Sequence, residues 1–224
     1  MVSTFYIPLS LPMWLLPDIA DAIAHGLGTE AARLDEEHAV YGLDALDELS
    51  LHPHLAAALT GGGYGAHREQ RYPADRFRRV ESEGERCDFV LTPDRRPLAA
   101  PGAAPTLFDP PDAVELEDAF WMEVKVVSQF TTEGPNANYA SQLSSGVRRD
   151  VTKLSKDHSI LHAGLLIVLW SAGPEIAGHD LNLWHMRCLQ RGLPIGVPSV
   201  RTLAMTDRLG NAAAAIALHP IHHF

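Results

Sequence analysis

At 224 residues, with 46% hydrophobic and 21% charged residues, the chain has the make-up of one mixed globular domain with a sizeable core. No run of 18 consecutive apolar residues is present, which excludes a transmembrane helix, and two widely separated cysteines, Cys87 and Cys188, exclude a disulfide framework and fit a reducing, cytoplasmic setting. The net charge of −10 argues against a wholly basic nucleic-acid binder, but it is unevenly spread: residues 1–60 carry nine acids against Arg33 alone, whereas residues 66–96 carry eight of the eighteen bases, all arginine.

The chain opens on an apolar leader, residues 1–16, which lacks a basic first region and is interrupted by Pro8 and Pro12; this is not the pattern of a signal peptide. From Pro17 the spacing of Ile19, Ala20, Ile23, Ala24 and Leu27 predicts a helix that Gly26 or Gly28 ends. A second helix is predicted over 44–59, kinked or divided at Pro53 and stopped by Gly61-Gly62-Gly63. Extended runs follow at 64–72 and 86–91. Residues 92–113, rich in Pro, Ala and Gly, read as a long connection or insertion. After a strand at 121–127, a helix is predicted over 139–157 with Leu143, Val147, Val151 and Leu154 inward. The continuous apolar run 162–170 reads as a strand buried on both faces. A helix near 175–191 and strands near 200–205 and 212–218 complete the series. Helix, three strands, helix, strand, helix, strand predicts an α/β or α+β layered fold, a central mixed β-sheet flanked by helices, in a single domain over 1–224. Within it, 1–43 is an acidic and apolar N-terminal extension, and 44–224 is the core that carries the 92–113 insertion.

One strand stands apart. In Trp121-Met-Glu-Val-Lys-Val-Val127, Glu123 and Lys125 project from one face, while Met122, Val124 and Val126 form the opposite, core-facing row. Charges in the middle of an apolar strand are costly unless paired with each other, with a metal or with a substrate. Asp88 lies in the preceding strand, Cys87-Asp-Phe-Val-Leu91. Adjacent strands lie about 5 Å apart, so Asp88 can meet Glu123 and Lys125 at one sheet edge. Two carboxylates held close repel, and a hard divalent cation such as Mg²⁺ relieves that repulsion. Asp88, Glu123 and the Val124 carbonyl are its candidate ligands. Lys125 is placed to orient or deprotonate a water, or to stabilise charge on a phosphorane.

These motif strands resemble those of the PD-(D/E)xK nuclease superfamily, the restriction-endonuclease-like fold, over roughly residues 44–170. The resemblance implies a Mg²⁺- or Mn²⁺-dependent nuclease that hydrolyses DNA phosphodiester bonds, with Asp88 and Glu123 as metal ligands and Lys125 as catalytic base. It also implies a glutamate on the helix before the first strand. Glu48 matches by position, and Glu69 on the first strand is a second candidate. Gln142 resembles a glutamine that some branches carry on the following helix. Two departures are a cysteine rather than a proline before Asp88, and a gap of 35 residues between Asp88 and Glu123, which the insertion explains.

Arg148, Arg149 and Lys153 on the 139–157 helix, with Arg68 and Arg71 on the first strand, are the candidate phosphate contacts, since phosphate binding needs only a local basic patch. Asp150 and Lys153, three apart on a helix, also fit a surface ion pair. The twelve histidines include His179 with His185, and His219 with His222 and His223, but none has a zinc-ligand spacing with cysteines. A different class of function is a non-catalytic subunit of the same fold that binds a protein partner or nucleic acid. A homodimer or a partner protein, docked through the acidic N-terminal segment, fits either class.

Overall fold

The computed structural model describes residues 14–73, 85–100 and 110–223. Most of the apolar leader, Arg76, Arg78, Arg79 and the middle of the Pro-rich insertion lie outside the described residues. The elements are α1 (Leu16–Glu36), α2 (Glu48–Gly61), β1 (Gly65–Arg71), β2 (Arg86–Thr92), β3 (Phe120–Ser128), the short pair β4 (Phe130–Thr131) and β5 (Gly134–Pro135), α3 (Tyr139–Lys156), β6 (His162–Ser171), α4 (Pro174–Gln190), β7 (Ser199–Ala204) and β8 (Ala213–Ile221).

Six strands form one mixed sheet in the order β1-β2-β3-β6-β8-β7. Only β3 and β6 are parallel, joined through α3; the other neighbours are antiparallel. Helices cover both faces, so the chain is an α+β protein with a six-stranded mixed central sheet flanked by helices, the class its element pattern predicts. The apolar run of β6 is divided by the two-residue strand period. Leu166, Val168 and Trp170 pack under α1 and α2 with Ile19, Ile23, Leu51 and Leu55. Leu165, Ile167 and Leu169 pack under α3 and α4 with Val147, Val151, Leu154 and Trp184.

β3 obeys the same division, and this corrects one expectation. Met122 and Val124 lie in the α1/α2 layer, but Trp121 and Val127 lie in the α3/α4 layer. The face that carries Glu123 and Lys125 is therefore a second core face and not a solvent-facing one. The meeting place with Asp88 is also internal to the sheet, because β1 lies outside β2.

Two helix expectations need correcting. α1 does not end at Gly26 or Gly28 but runs on to Glu36. Gly26 serves a close approach: a Cβ there would lie 2.3 Å from Ala58 Cβ and 2.7 Å from Ala58 Cα in α2. Pro53 does not divide α2, which is continuous from Glu48. α2 does end at the three glycines, with Gly63 in the left-handed region at φ 95°. Both cysteines are buried and free, and among the described residues no helix is long and apolar enough to cross a membrane.

The α1/α2 contact yields a test. In Gly26→Ala, helix propensity would gain at most about 1 kcal/mol, whereas forcing the two backbones apart costs about 1–3 kcal/mol. Net destabilisation in urea unfolding is expected; unchanged or raised stability would show that the helices separate freely.

Candidate metal centre

The site arises where β2 parts from β3. The two strands pair only over Phe89–Leu91 against Phe120–Met122, while β6 follows β3 as far as Ser128. On the β2 side, the backbone N–H groups of Val124 and Val126 must find other acceptors. Asp88 Oδ2 accepts from the Val124 N–H at 2.8 Å. Glu48 Oε2 accepts from the Val126 N–H at 3.2 Å. The N–H and C=O of one residue in an extended strand point to the same side, so the Val124 carbonyl faces this parting too.

Glu48 reaches β3 because of how α2 begins. The Asp47 side chain accepts from the Ser50 N–H at 2.7 Å, which fixes Asp47 as the helix cap and Glu48 as the first helical residue. Lys125 extends its ammonium to within 3.0 Å of Glu48 Oε2 and 4.0 Å of Asp150 Oδ2. Lys153 lies 3.5 Å from Asp150 Oδ1 and 3.4 Å from Glu123 Oε1. Glu123 is only 3% exposed and also accepts a hydrogen bond from the Tyr72 hydroxyl. Carboxylates and ammoniums thus alternate: Glu48, Lys125, Asp150, Lys153, Glu123. With Asp88 included, four carboxylates face two ammoniums. If all are ionised, the excess is two negative charges, the charge of one divalent cation.

The titration of the group follows from this imbalance. Burial, and next the Asp88 charge, push Glu123 up to about 8, against the pull of Lys153 and the Tyr72 hydroxyl. Burial likewise raises Asp150, although Lys125 and Lys153 oppose it. Burial would lower Lys125, but Glu48, Asp150 and Asp88 outweigh it and raise its pKa. Lys125 is therefore an ammonium near neutral pH, which favours charge stabilisation over the role of base.

The structure brings Asp88, Glu123, Val124, Lys125 and Glu48 into one neighbourhood. It does not gather the proposed phosphate contacts into one patch. Lys153 turns inward to Glu123, and Asp150, expected in a surface pair, is 8% exposed. Arg149 pairs with Glu85 at 2.5 Å. Arg148 lines a separate cleft between α3 and α4 with Tyr139, Asp180 and Arg187. Arg68 and Arg71 are exposed on β1. Gln142 bonds Asn136 at 2.9 Å, and with Glu48 and Lys125 it lines a groove of about 500 Å³ that also takes in Asp44 and Asp47.

Sequence reasoning overlooked Asp150 and Tyr72 as members of the group. Asp150 had a legible signal: it immediately precedes Val151 on the inward stripe of α3. Tyr72 follows β1 and had none. Comparison of the chain with protein-family models, with curated proteins and with solved structures returned no match.

A metal-free pH test follows. Glu123 has an ordinary value of 4.5 and a folded value of about 8, so between these the folded state holds a proton the unfolded chain has released. This group's contribution to stability is full below pH 4.5 and is lost as pH rises through about 8. Glu123→Gln is expected to flatten the pH dependence of unfolding across that window in the presence of a chelator. Identical slopes in the two proteins would refute the assignment.

Proposed function

We propose that the protein is a divalent-metal-dependent nuclease of the PD-(D/E)xK type, hydrolysing DNA phosphodiester bonds at the β2/β3 parting. The observation that carries this reading is the convergence of Asp88, Glu123, the Val124 backbone, Lys125 and Glu48 on one opening in the sheet. The order α2, β1, β2, β3, α3, β6 also supports it, because it is the helix, three strands, helix, strand order that the resemblance implies.

The donor set fits a hard cation. Carboxylate and carbonyl oxygens are what Mg²⁺ and Mn²⁺ prefer, and with all four carboxylates ionised the excess charge of the group would match one such ion. Asp88, Glu123 and the Val124 carbonyl would hold it. When bound, the ion supplies a Lewis acid for a phosphoryl oxygen and a water of lowered pKa.

The protein's own groups divide the remaining work. Glu48 anchors the Lys125 ammonium at 3.0 Å and so sets where its charge lies. Lys125 stabilises negative charge developing on the phosphate, a role that a preorganised ammonium performs without reorganisation. Lys153 and Tyr72 hold the Glu123 carboxyl in place from the α3 side.

Purified protein with Mg²⁺ or Mn²⁺ is expected to nick or degrade DNA. Removing one preorganised stabilising group costs about 10²–10³ in rate, so Lys125→Ala should lose that much while its circular dichroism shows that the fold is retained. Equal cleavage by the variant would sink the reading. Absence of cleavage by the unaltered protein, together with a stable complex on pull-down, would move the assignment to a non-catalytic subunit.

A further inference from the structure

A second group of possible ligands adjoins the first, on the other side of Asp88. α2 carries Glu48 and His52 one turn apart, on the same helix face. Glu48 meets β3, whereas His52 meets β1 and β2. The register of β1 with β2, Arg68 opposite Phe89 and Gln70 opposite Cys87, sets Glu69 across from Asp88. One ligand atom from each of His52, Glu69 and Asp88 lies within 4.8 Å of the other two.

His52 is what makes this more than a pair of neighbouring acids. Its side chain is fully buried, at 0% exposure, yet neither ring nitrogen has a hydrogen-bond partner among the described residues. Its one described ring contact is edge-on to Phe89, with centroids 5.2 Å apart. Buried polar atoms are as a rule paired, and an orphaned one calls for an explanation. A leucine would fill the same space between Leu51 and Leu55 without leaving nitrogens unsatisfied. A bound ion explains the choice of histidine, because it gives one nitrogen a ligand bond.

We propose that His52, Glu69 and Asp88 form a second cation site, distinct from the Glu123/Val124 position, which takes a divalent transition ion in preference to Mg²⁺. Bonds of about 2.0–2.2 Å place neighbouring donors about 3–3.5 Å apart, so a separation within 4.8 Å closes by side-chain rotation alone. Imidazole nitrogen suits Zn²⁺, Fe²⁺ and Co²⁺, while Mg²⁺ keeps to oxygen ligands. Three protein ligands leave positions for water. Asp88 uses Oδ2 on the Val124 N–H, so its other oxygen is the natural donor here. The site shares Asp88 with the proposed nuclease centre but rests on His52 and Glu69, neither of which has a part in the nuclease chemistry proposed above.

The probe is Co²⁺, titrated into metal-free full-length protein and followed by its visible d–d absorption. Saturable binding with a nitrogen-ligand spectrum, displaced by Zn²⁺ and untouched by excess Mg²⁺, is expected. Glu69→Gln, an exposed change that leaves the core intact, should weaken Co²⁺ binding at least tenfold. His52→Leu should abolish it while the melting temperature of the metal-free protein holds or rises, because an unpaired buried ring is replaced by an apolar one. Glu123→Gln should retain it. No Co²⁺ binding, or full-affinity binding in both Glu69→Gln and His52→Leu, overturns the proposal, as does binding lost in Glu123→Gln and kept in Glu69→Gln. If DNA cleavage fails while the Co²⁺ site behaves as expected, the nuclease reading falls and this one stands.

Discussion

The site depends on β2 leaving β3 at Met122, before β3 reaches its charged residues Glu123 and Lys125. A sheet that stayed paired there would satisfy the Val124 and Val126 N–H groups with backbone carbonyls. Because it opens, carboxylates take their place: Asp88 on Val124 and Glu48 on Val126. Two acids from distant parts of the chain are thereby drawn to one strand by ordinary backbone satisfaction. Their negative charge then requires Lys125, and the buried Glu123 requires Lys153. The constellation is a consequence of one missing stretch of ladder.

Stability alone does not account for the result. Glu123 lies buried on the face that α3 and α4 cover, where an unpaired carboxylate would be expelled or protonated. The group holds it with one ammonium and one phenol, and even so burial and Asp88 leave it protonated near neutral pH. Replacing buried ion networks by apolar residues of similar volume is often neutral or stabilising. An apolar residue at 123 would fit the Trp121 and Val127 layer without strain on charge. A chain that keeps four carboxylates and two lysines there accepts a cost in stability, which under the proposed function a bound cation would offset.

Much of the fold was legible. The continuous apolar run of β6 and the inward stripe of α3 are read from periodicity, and both stand where the periods put them. Asp88, Glu123 and Lys125 were legible because a charge inside an apolar strand is a local anomaly. The rest needed contacts that span sequence: Glu48 and Lys125 are 77 residues apart, and Asp88 and Val124 are 36. Gly26 misled because a glycine that stops a helix and one that lets another helix approach look the same in sequence. His52 was hidden by its neighbours, since Leu51 and Leu55 make it look like part of an apolar face. The α3 basic run misled in a third way: Arg148, Arg149 and Lys153 share a helix but point to a cleft, an ion pair and the interior.

The scattered basic residues of α3 leave the groove beside the site with an acidic lining that a polyanion would meet. Asp44, Asp47 and Glu48 line it with Lys125, so its own charge opposes a phosphate backbone. Arg68 and Arg71 on the exposed outer strand stand beyond it. Under the nuclease reading, cations held at Asp88 would supply attraction that the described acidic lining of the groove opposes. Metal binding would then precede DNA binding, and affinity for DNA would rise with metal occupancy even where cleavage is blocked.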